Sequence, residues 1–248
     1  MTWTDVIAVL AAGMAAGTIN AVVGSGTLIT FPTLLALGYP PVLANVTNTV
    51  GLVPGSVSGA IGYRRELEGQ KARLLRLGLG SVLGGLTGGV LLLALPADAF
   101  DAIVPALIGL GCVLVAVQPW ISAKVAAPHD APAHGSAWVW LGVFFIGIYG
   151  GYFGAAQGVL LIAILGIGLN ETMHRINATR NVLALLANAV SATLFVAVAH
   201  IEWPVALLIA GSSIVGGQLG AVVGRRLPPM VLRGVIVVVG AVAIWQLL

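Results

Sequence analysis

Long apolar runs alternate with short polar breaks along the whole chain, and the breaks fall at matching places twice. Apolar stretches cover roughly 4–23, 28–37, 43–63, 72–95 and 100–120, then 137–153, 158–169, 175–199, 203–224 and 230–247. Runs such as 103–117 exceed the ~9–11 residues of a barrel strand, so the pattern predicts helices. The second stretch of each set is too short to cross a ~30 Å hydrocarbon core as a straight helix. A more polar piece, 122–136, separates the two sets and reads as a linker.

The sets are related residue by residue. Gly17, Gly24 and Gly38 recur as Gly147, Gly154 and Gly168. Asn45-x-Thr47-x-Thr49-Val50 recurs as Asn177-x-Thr179-x-Asn181-Val182. Gly84-Gly85, Gly88 and Leu95-Pro96 recur as Gly216-Gly217, Gly220 and Leu227-Pro228. This is an internal duplication: a first repeat (1–121), the linker (122–136) and a second repeat (137–248), forming one integrated domain.

Charge supplies the orientation. The eleven basic residues are Arg64, Arg65, Lys71, Arg73, Arg76, Lys124, Arg175, Arg180, Arg225, Arg226 and Arg233. If every segment crosses the membrane, or enters it and returns, all eleven fall on one side, which is then cytoplasmic. The basic loop follows the third segment of the first set but the fourth of the second, so the halves would run in opposite directions. The expectation is an all-α polytopic membrane protein of two inverted-topology repeats. Each has about five segments, including one short broken or re-entrant helix. Both termini would face outward and the linker inward. Inverted repeats interrupted at equivalent positions are the pattern of secondary transporters, and the interruptions point to the binding site.

Composition strengthens the membrane reading. Of 248 residues, 59% are hydrophobic and 8% charged, against about 25% charged in a soluble domain; mean hydropathy is +1.06. So few charges cannot cover a surface in water, and the lipid bilayer is the expected partner. The 34 glycines suit close helix packing. The net charge of +3 resides in short inter-helix loops and gives no nucleic-acid signal. A single cysteine, Cys112, excludes an internal disulfide and a Cys-based zinc site and reads as a core thiol. No metal and no cofactor are expected. The first 17 residues carry no Lys or Arg, unlike a signal peptide, and read as the first helix. Asp5, Glu66, Glu68, Asp98, Asp101, Asp130, Glu171 and Glu202 all fall in loops or at segment ends, so no intramembrane acid offers a proton relay. His129 and His134 fall in the linker, His174 and His200 at helix ends.

Two constellations could hold a ligand. Gly24-Ser25-Gly26-Thr27 breaks the first helix: glycine permits the turn, Ser or Thr caps the next helix, and the half-helix from Leu28 would present its N-terminus to the membrane interior, a site suited to anions. Its partner is Gly154-Ala155-Ala156-Gln157-Gly158, and under inversion the two breaks would approach each other. The second constellation is Asn45, Thr47, Asn48 and Thr49 with Asn177, Thr179, Arg180 and Asn181. Residues four apart share a helix face, pairing Asn45 with Thr49 and Asn177 with Asn181. Uncharged donors of this kind suit an oxyanion that must also be released; the competing role is helix-to-helix glue. Ser56, Ser58, Asn188 and Ser191 lie one to three turns deeper along the same path. Arg180 is read as snorkelling to the headgroups, with ligand contact as the alternative, and Thr47 and Thr179 are expected to matter more to binding.

At these residues the chain resembles the TauE/SafE family, the sulfite-exporter-type membrane transporters. The G-x-G-x-L-I-x-x-P-x-L element reads here as Gly24-Ser25-Gly26-Thr27-Leu28-Ile29-Thr30-Phe31-Pro32-Thr33-Leu34, followed by Gly38, Ala44 and Thr47, with a degenerate copy around Gly154 and Thr179. The chain departs from the family at Ser25 and Thr27, where a glycine run is usual, and at Ile162, where the second copy often keeps a proline. The resemblance implies transport of small sulfur-containing anions, sulfite or organosulfonates, by alternating access across a prokaryotic cytoplasmic membrane. Other readings are a carrier of another small anion such as a carboxylate, a membrane scaffold, or an intramembrane serine protease using Ser25. The protease reading lacks the first glycine of G-x-S-G, because Val23 stands there, and lacks a mid-membrane histidine. A homo-oligomer is compatible with this architecture, and no residue pattern names a coupling ion.

Overall fold

The computed structural model describes residues 1–124, 134–222 and 229–247. Most of the linker, with His129 and Asp130, and also Arg225 and Arg226, lies outside them. The described residues are helical, in the order α1 (Trp3–Val22), α2 (Thr27–Ala36), α3 (Pro41–Gly62), a 3₁₀ turn (Arg64–Leu67), α4 (Lys71–Ala94), α5 (Ala97–Lys124), α6 (Ala137–Tyr152), α7 (Gln157–Gly168), α8 (Met173–Val198), α9 (Trp203–Val222) and α10 (Pro229–Leu247). Helices α1, α4, α5, α8 and α9 are long and apolar enough to cross a membrane. The short α2 and α7, of 10 and 12 residues, reach ~15–18 Å, about half of a bilayer core.

Local chemistry sets the ends. Thr2 and Asp5 form a capping box at the start of α1, Thr2 N donating to Asp5 Oδ2 at 2.6 Å and Asp5 N to Thr2 Oγ1 at 3.3 Å. Pro41 occupies the first turn of α3, where its missing N–H costs nothing. Gly24, Gly38 and Gly154 follow α1, α2 and α6 with φ of +83°, +86° and +75°, a left-handed backbone that ends a helix and favours glycine.

Packing between long helices runs through small residues. A Cβ on Gly17 (α1) would lie 2.3 Å from Ser213 O (α9), and one on Gly84 (α4) 2.1 Å from Phe144 O (α6). Along each pair the contacts advance together. Gly13 meets Ile209 and Gly17 meets Ser213; Gly51, Gly55 and Gly62 of α3 meet Ile209, Ser213 and Ala221. So α1, α3 and α9 run parallel. Equally, Gly80, Gly84 and Gly88 meet Trp140, Phe144 and Ile148, while Gly85 and Gly89 meet Ala187 and Ser191, which makes α4, α6 and α8 parallel. The pairs α1 with α9 and α3 with α9 are matched by α6 with α4 and α8 with α4, helix for helix across the two halves.

The C-terminal ends of α3 and α9 meet the start of α8 in a buried cluster of Tyr63, Ala178 and Ala221. At this same end Glu171 accepts from Arg73 Nη1 (3.0 Å) and Arg175 Nε (2.8 Å), and Arg175 Nη1 donates to Glu68 O at 3.1 Å. The basic loop and the start of α8 are therefore neighbours. Leu75, Leu79, Val113, Phe145 and Leu207 face outward, as lipid contact requires. Trp3, Trp120, Trp138, Trp203 and Trp245 are also exposed, each near a helix end, as in the aromatic belts of membrane proteins. Cys112 is half-buried in α5 against α10, where a Cβ on Gly240 would meet its sulfur at 2.2 Å.

The glycine seams make a direct prediction. Gly84→Leu must overlap the α6 backbone, an overpacking cost of at least ~1–3 kcal/mol. Gly211, with nothing within 4 Å of an added Cβ, is the matched control. On heating in detergent, Gly84→Leu should lose its monodisperse size-exclusion peak at a clearly lower temperature, and Gly211→Leu should track the parent protein.

Candidate functional site

The chain leaves α1 through Gly24 and enters α2 at Thr27; it leaves α6 through Gly154 and enters α7 at Gln157. The two breaks touch. Gly158 N donates to Gly24 O at 3.2 Å, and a Cβ on Gly158 would lie 2.5 Å from Gly24 Cα. The expected Ser or Thr cap on α2 does not form. Asn20 instead reaches forward from the last turn of α1, its Oδ1 accepting from Gly26 N at 2.8 Å. Ser25 Oγ is buried without a partner.

Arg180 enters this junction from α8 and is fully buried. The expectation that it snorkels to the headgroups is overturned. Its Nη2 donates to Ala21 O (3.0 Å), Asn20 O (3.4 Å) and Asn181 Oδ1 (2.7 Å). Its Nη1 occupies a notch that only glycines leave open: Cβ atoms on Gly24 and Gly158 would lie 2.2 and 2.8 Å from it. The physical reason is local. The last carbonyls of a helix have no intrahelical partner and carry the negative end of its dipole, so the break after α1 solvates a guanidinium from inside. Nε and Nη1 remain without a hydrogen-bond partner. Arg73 and Arg175 pair with Glu171; among the described residues no acid pairs with Arg180.

Beside the guanidinium lies a polar cavity of about 30 Å³, room for a water or two. Its lining comes in duplicated pairs: Gly24 with Gly154, Thr27 with Gln157, Thr49 with Asn181, Leu52 with Ala184, Ser56 with Asn188, together with Asn20 and Arg180. Both amide atoms of Gln157 are buried and unpartnered. The lining includes no Asp, Glu or His. Chemically the site offers one fixed cation, neutral hydroxyl and amide donors, and two helix N-termini, groups whose chemistry is suited to an anion.

Other residues singled out in the sequence are placed elsewhere. Asn48, the counterpart of Arg180 in the first half, accepts from Thr30 Oγ1 and donates to Thr27 Oγ1 at 3.4 Å, tying α3 to α2. Asn45 donates to Tyr152 O at 2.9 Å, and neither it nor the half-buried Asn177 reaches the cavity lining. Thr47 Oγ1 accepts from Glu202 N at 3.2 Å. Thr179 Oγ1 bonds Gln70 Oε1 at 3.0 Å and Arg175 O at 2.9 Å. Glu202 and Gln70 immediately precede α9 and α4, so the two threonines tie equivalent places, one accepting from a main-chain N–H and the other donating to a side-chain amide oxygen, away from the cavity. Gly26 closes the α2 turn against Ala16, whose carbonyl a Cβ would meet at 2.4 Å. Of the deeper residues, Ser56 and Asn188 line the cavity, whereas Ser58 and Ser191 bond Ile214 O and Gly85 O across helix pairs. Asn20 is a site residue that the repeat pattern does not single out; its signal is an amide in the last turn of an apolar helix, just before a glycine break. His134, His174 and His200 are exposed, whereas Ser25 is fully buried.

The family model described as "Sulfite exporter TauE/SafE" matches residues 9–247. The chain is 28% identical over 247 residues to the "Probable membrane transporter protein YfcA" of Escherichia coli K12, covering 95% of this chain and 86% of that one. It is 26% identical over 225 residues to a "Probable membrane transporter protein" of Haemophilus influenzae (88% and 84% covered), and 28% identical over 221 residues to the "Probable membrane transporter protein ORF9" of a Sinorhizobium species (85% and 79%).

The threonine ties reverse the expected ranking of site residues. Thr47→Val and Thr179→Val should each lower thermal stability by about 0.6 kcal/mol, the mean for an interhelical hydrogen bond in a membrane protein, and leave ligand affinity within about twofold. A tenfold affinity loss with unchanged melting would return them to the binding site.

Proposed function

The chain belongs to the sulfite exporter TauE/SafE family of membrane transporters, and we propose that it carries small sulfur-containing anions, sulfite or an organosulfonate, across a prokaryotic cytoplasmic membrane by alternating access. One observation carries this reading: the buried, acid-free guanidinium of Arg180, with two unpartnered nitrogens beside a polar cavity. Bonds from a charged donor to an oxyanion are shorter and about twice as strong as neutral ones. The N-termini of α2 and α7 add positive potential. Gln157, Asn181, Asn188, Thr27 and Thr49 supply neutral groups that can follow several oxygens of one compact anion. The cavity lies between α3 and α8, so movement of these two helices gates loading and release. The parallel sets α1, α3, α9 and α4, α6, α8 support an inverted duplication, in which rocking one set against the other opens the site to either side in turn.

Flux of sulfite, methanesulfonate, sulfate and acetate into proteoliposomes tests the reading, with affinity measured on the purified protein. Arg180→Gln removes a charge-assisted interaction of ~1.5–3 kcal/mol and should weaken binding at least tenfold. Asn181→Asp keeps the side-chain shape and sets a carboxylate where Nη2 now donates at 2.7 Å; it should fold normally and also lose at least about tenfold in affinity. Arg64→Gln, at an exposed position, should bind as the parent does. Parental affinity in both site variants would sink the anion reading.

A further inference from the structure

We infer that this site works by anion-for-anion exchange, with the unloaded carrier returning across the membrane far more slowly than the loaded one; the inference rests on the anion-site reading above. Arg180 is the starting point. Its charge is fixed and fully buried, and the three acceptors of Nη2 are neutral dipoles, two main-chain carbonyls and one amide oxygen. Glu171, an acid on the approach to α8, is engaged by Arg73 and Arg175 at the helix end.

An alternating-access cycle passes twice through an occluded state, once in each direction. In that state the guanidinium is cut off from bulk water. A buried charge without a partner bears a desolvation penalty that dipoles only partly offset, whereas an opposite charge at contact distance in a low dielectric offsets much of it. Occlusion around a bound anion is therefore easy, and occlusion around an unpaired Arg180 is not.

Carriers escape this constraint when a carboxylate in the site neutralises the cation on the return leg, or when a proton changes the charge of the site. Neither device is present in the cavity lining, whose polar members other than Arg180 are Asn20, Thr27, Thr49, Ser56, Gln157, Asn181 and Asn188. The duplication does not supply a second cation either. Asn48 stands where Arg180 stands in the other half, and it is spent on Thr27 and Thr30. One fixed positive charge thus calls for one negative charge in each crossing. Exchange of equal charges moves no net charge.

The test uses the intact protein in proteoliposomes and labelled methanesulfonate, which stays a monoanion across the working pH range, with labelled sulfite in parallel. Vesicles are loaded either with the same unlabelled anion or with gluconate, a much larger polyhydroxy carboxylate. Exchange predicts initial uptake at least about tenfold faster with the small anion inside. For methanesulfonate it also predicts no change in that rate under a potassium diffusion potential of either sign or an imposed pH gradient. Equal uptake under both loadings, or uptake driven by the potential or the pH gradient into gluconate vesicles, would overturn exchange while leaving the anion site standing. Absence of uptake and of binding for every anion tried would instead remove the anion reading, and exchange with it.

Discussion

A guanidinium cannot rest inside a helical membrane protein unless oxygen atoms are brought to it, because helices consume their own carbonyls. Much else in this molecule stems from meeting that demand at Arg180. The end of α1 frees the carbonyls of Asn20 and Ala21. The break that frees them must turn sharply, which requires the left-handed Gly24. The second break must approach within backbone contact, which requires Gly158. Asn20 is committed twice, its carbonyl to the arginine and its side chain to the first turn of α2. A pair of glycine-rich interruptions in the sequence is, in three dimensions, a seat for one cation.

That seat sits in a frame held by close backbone contact rather than by large apolar side chains. Between helices in a bilayer there is little hydrophobic driving force, so close approach of small residues does the work. Two parallel triplets of helices result, α1, α3, α9 and α4, α6, α8, each mixing elements from both halves of the chain. Because α3 and α8 belong to different triplets and both line the cavity, a relative movement of the triplets changes the cavity directly. The matched threonine ties, Thr47 to Glu202 and Thr179 to Gln70, hold each of these helices to the start of a neighbour in its own triplet. They keep the triplets intact rather than hold them together.

Most of the architecture is legible in the sequence because it is written in local terms. Helix breaks are marked by glycine, and spans by length and apolarity. All ten segments fall within a few residues of their predicted bounds, and the cavity draws on both predicted breaks and on Thr49 and Asn181. Direction is not legible in the same way. Asn45, Thr47, Asn48 and Thr49 fall within five consecutive positions and so point around the whole helix, and a recurring pattern marks structural ties as readily as ligand contacts. Arg180 departs from expectation for a related reason. Its position near a helix end allows two destinations, and the deciding factor is a pair of carbonyls roughly 160 residues away in the chain. Nothing local to α8 announces them.

The matched positions of the two halves differ at the most consequential place. A symmetric site would carry the same residue at positions 48 and 180; here one is a neutral amide and the other a cation. Two arginines facing one cavity of this size would repel each other at short range in a low dielectric, and no acid is at hand to separate them. Two asparagines would leave the junction without a charge. One of each satisfies both constraints, and it leaves Asn48 free to brace α2 through Thr27 and Thr30 while Arg180 faces the cavity. The two halves can therefore share a fold and a packing plan while dividing the labour at their interface, one half anchoring a half-helix and the other holding the charge.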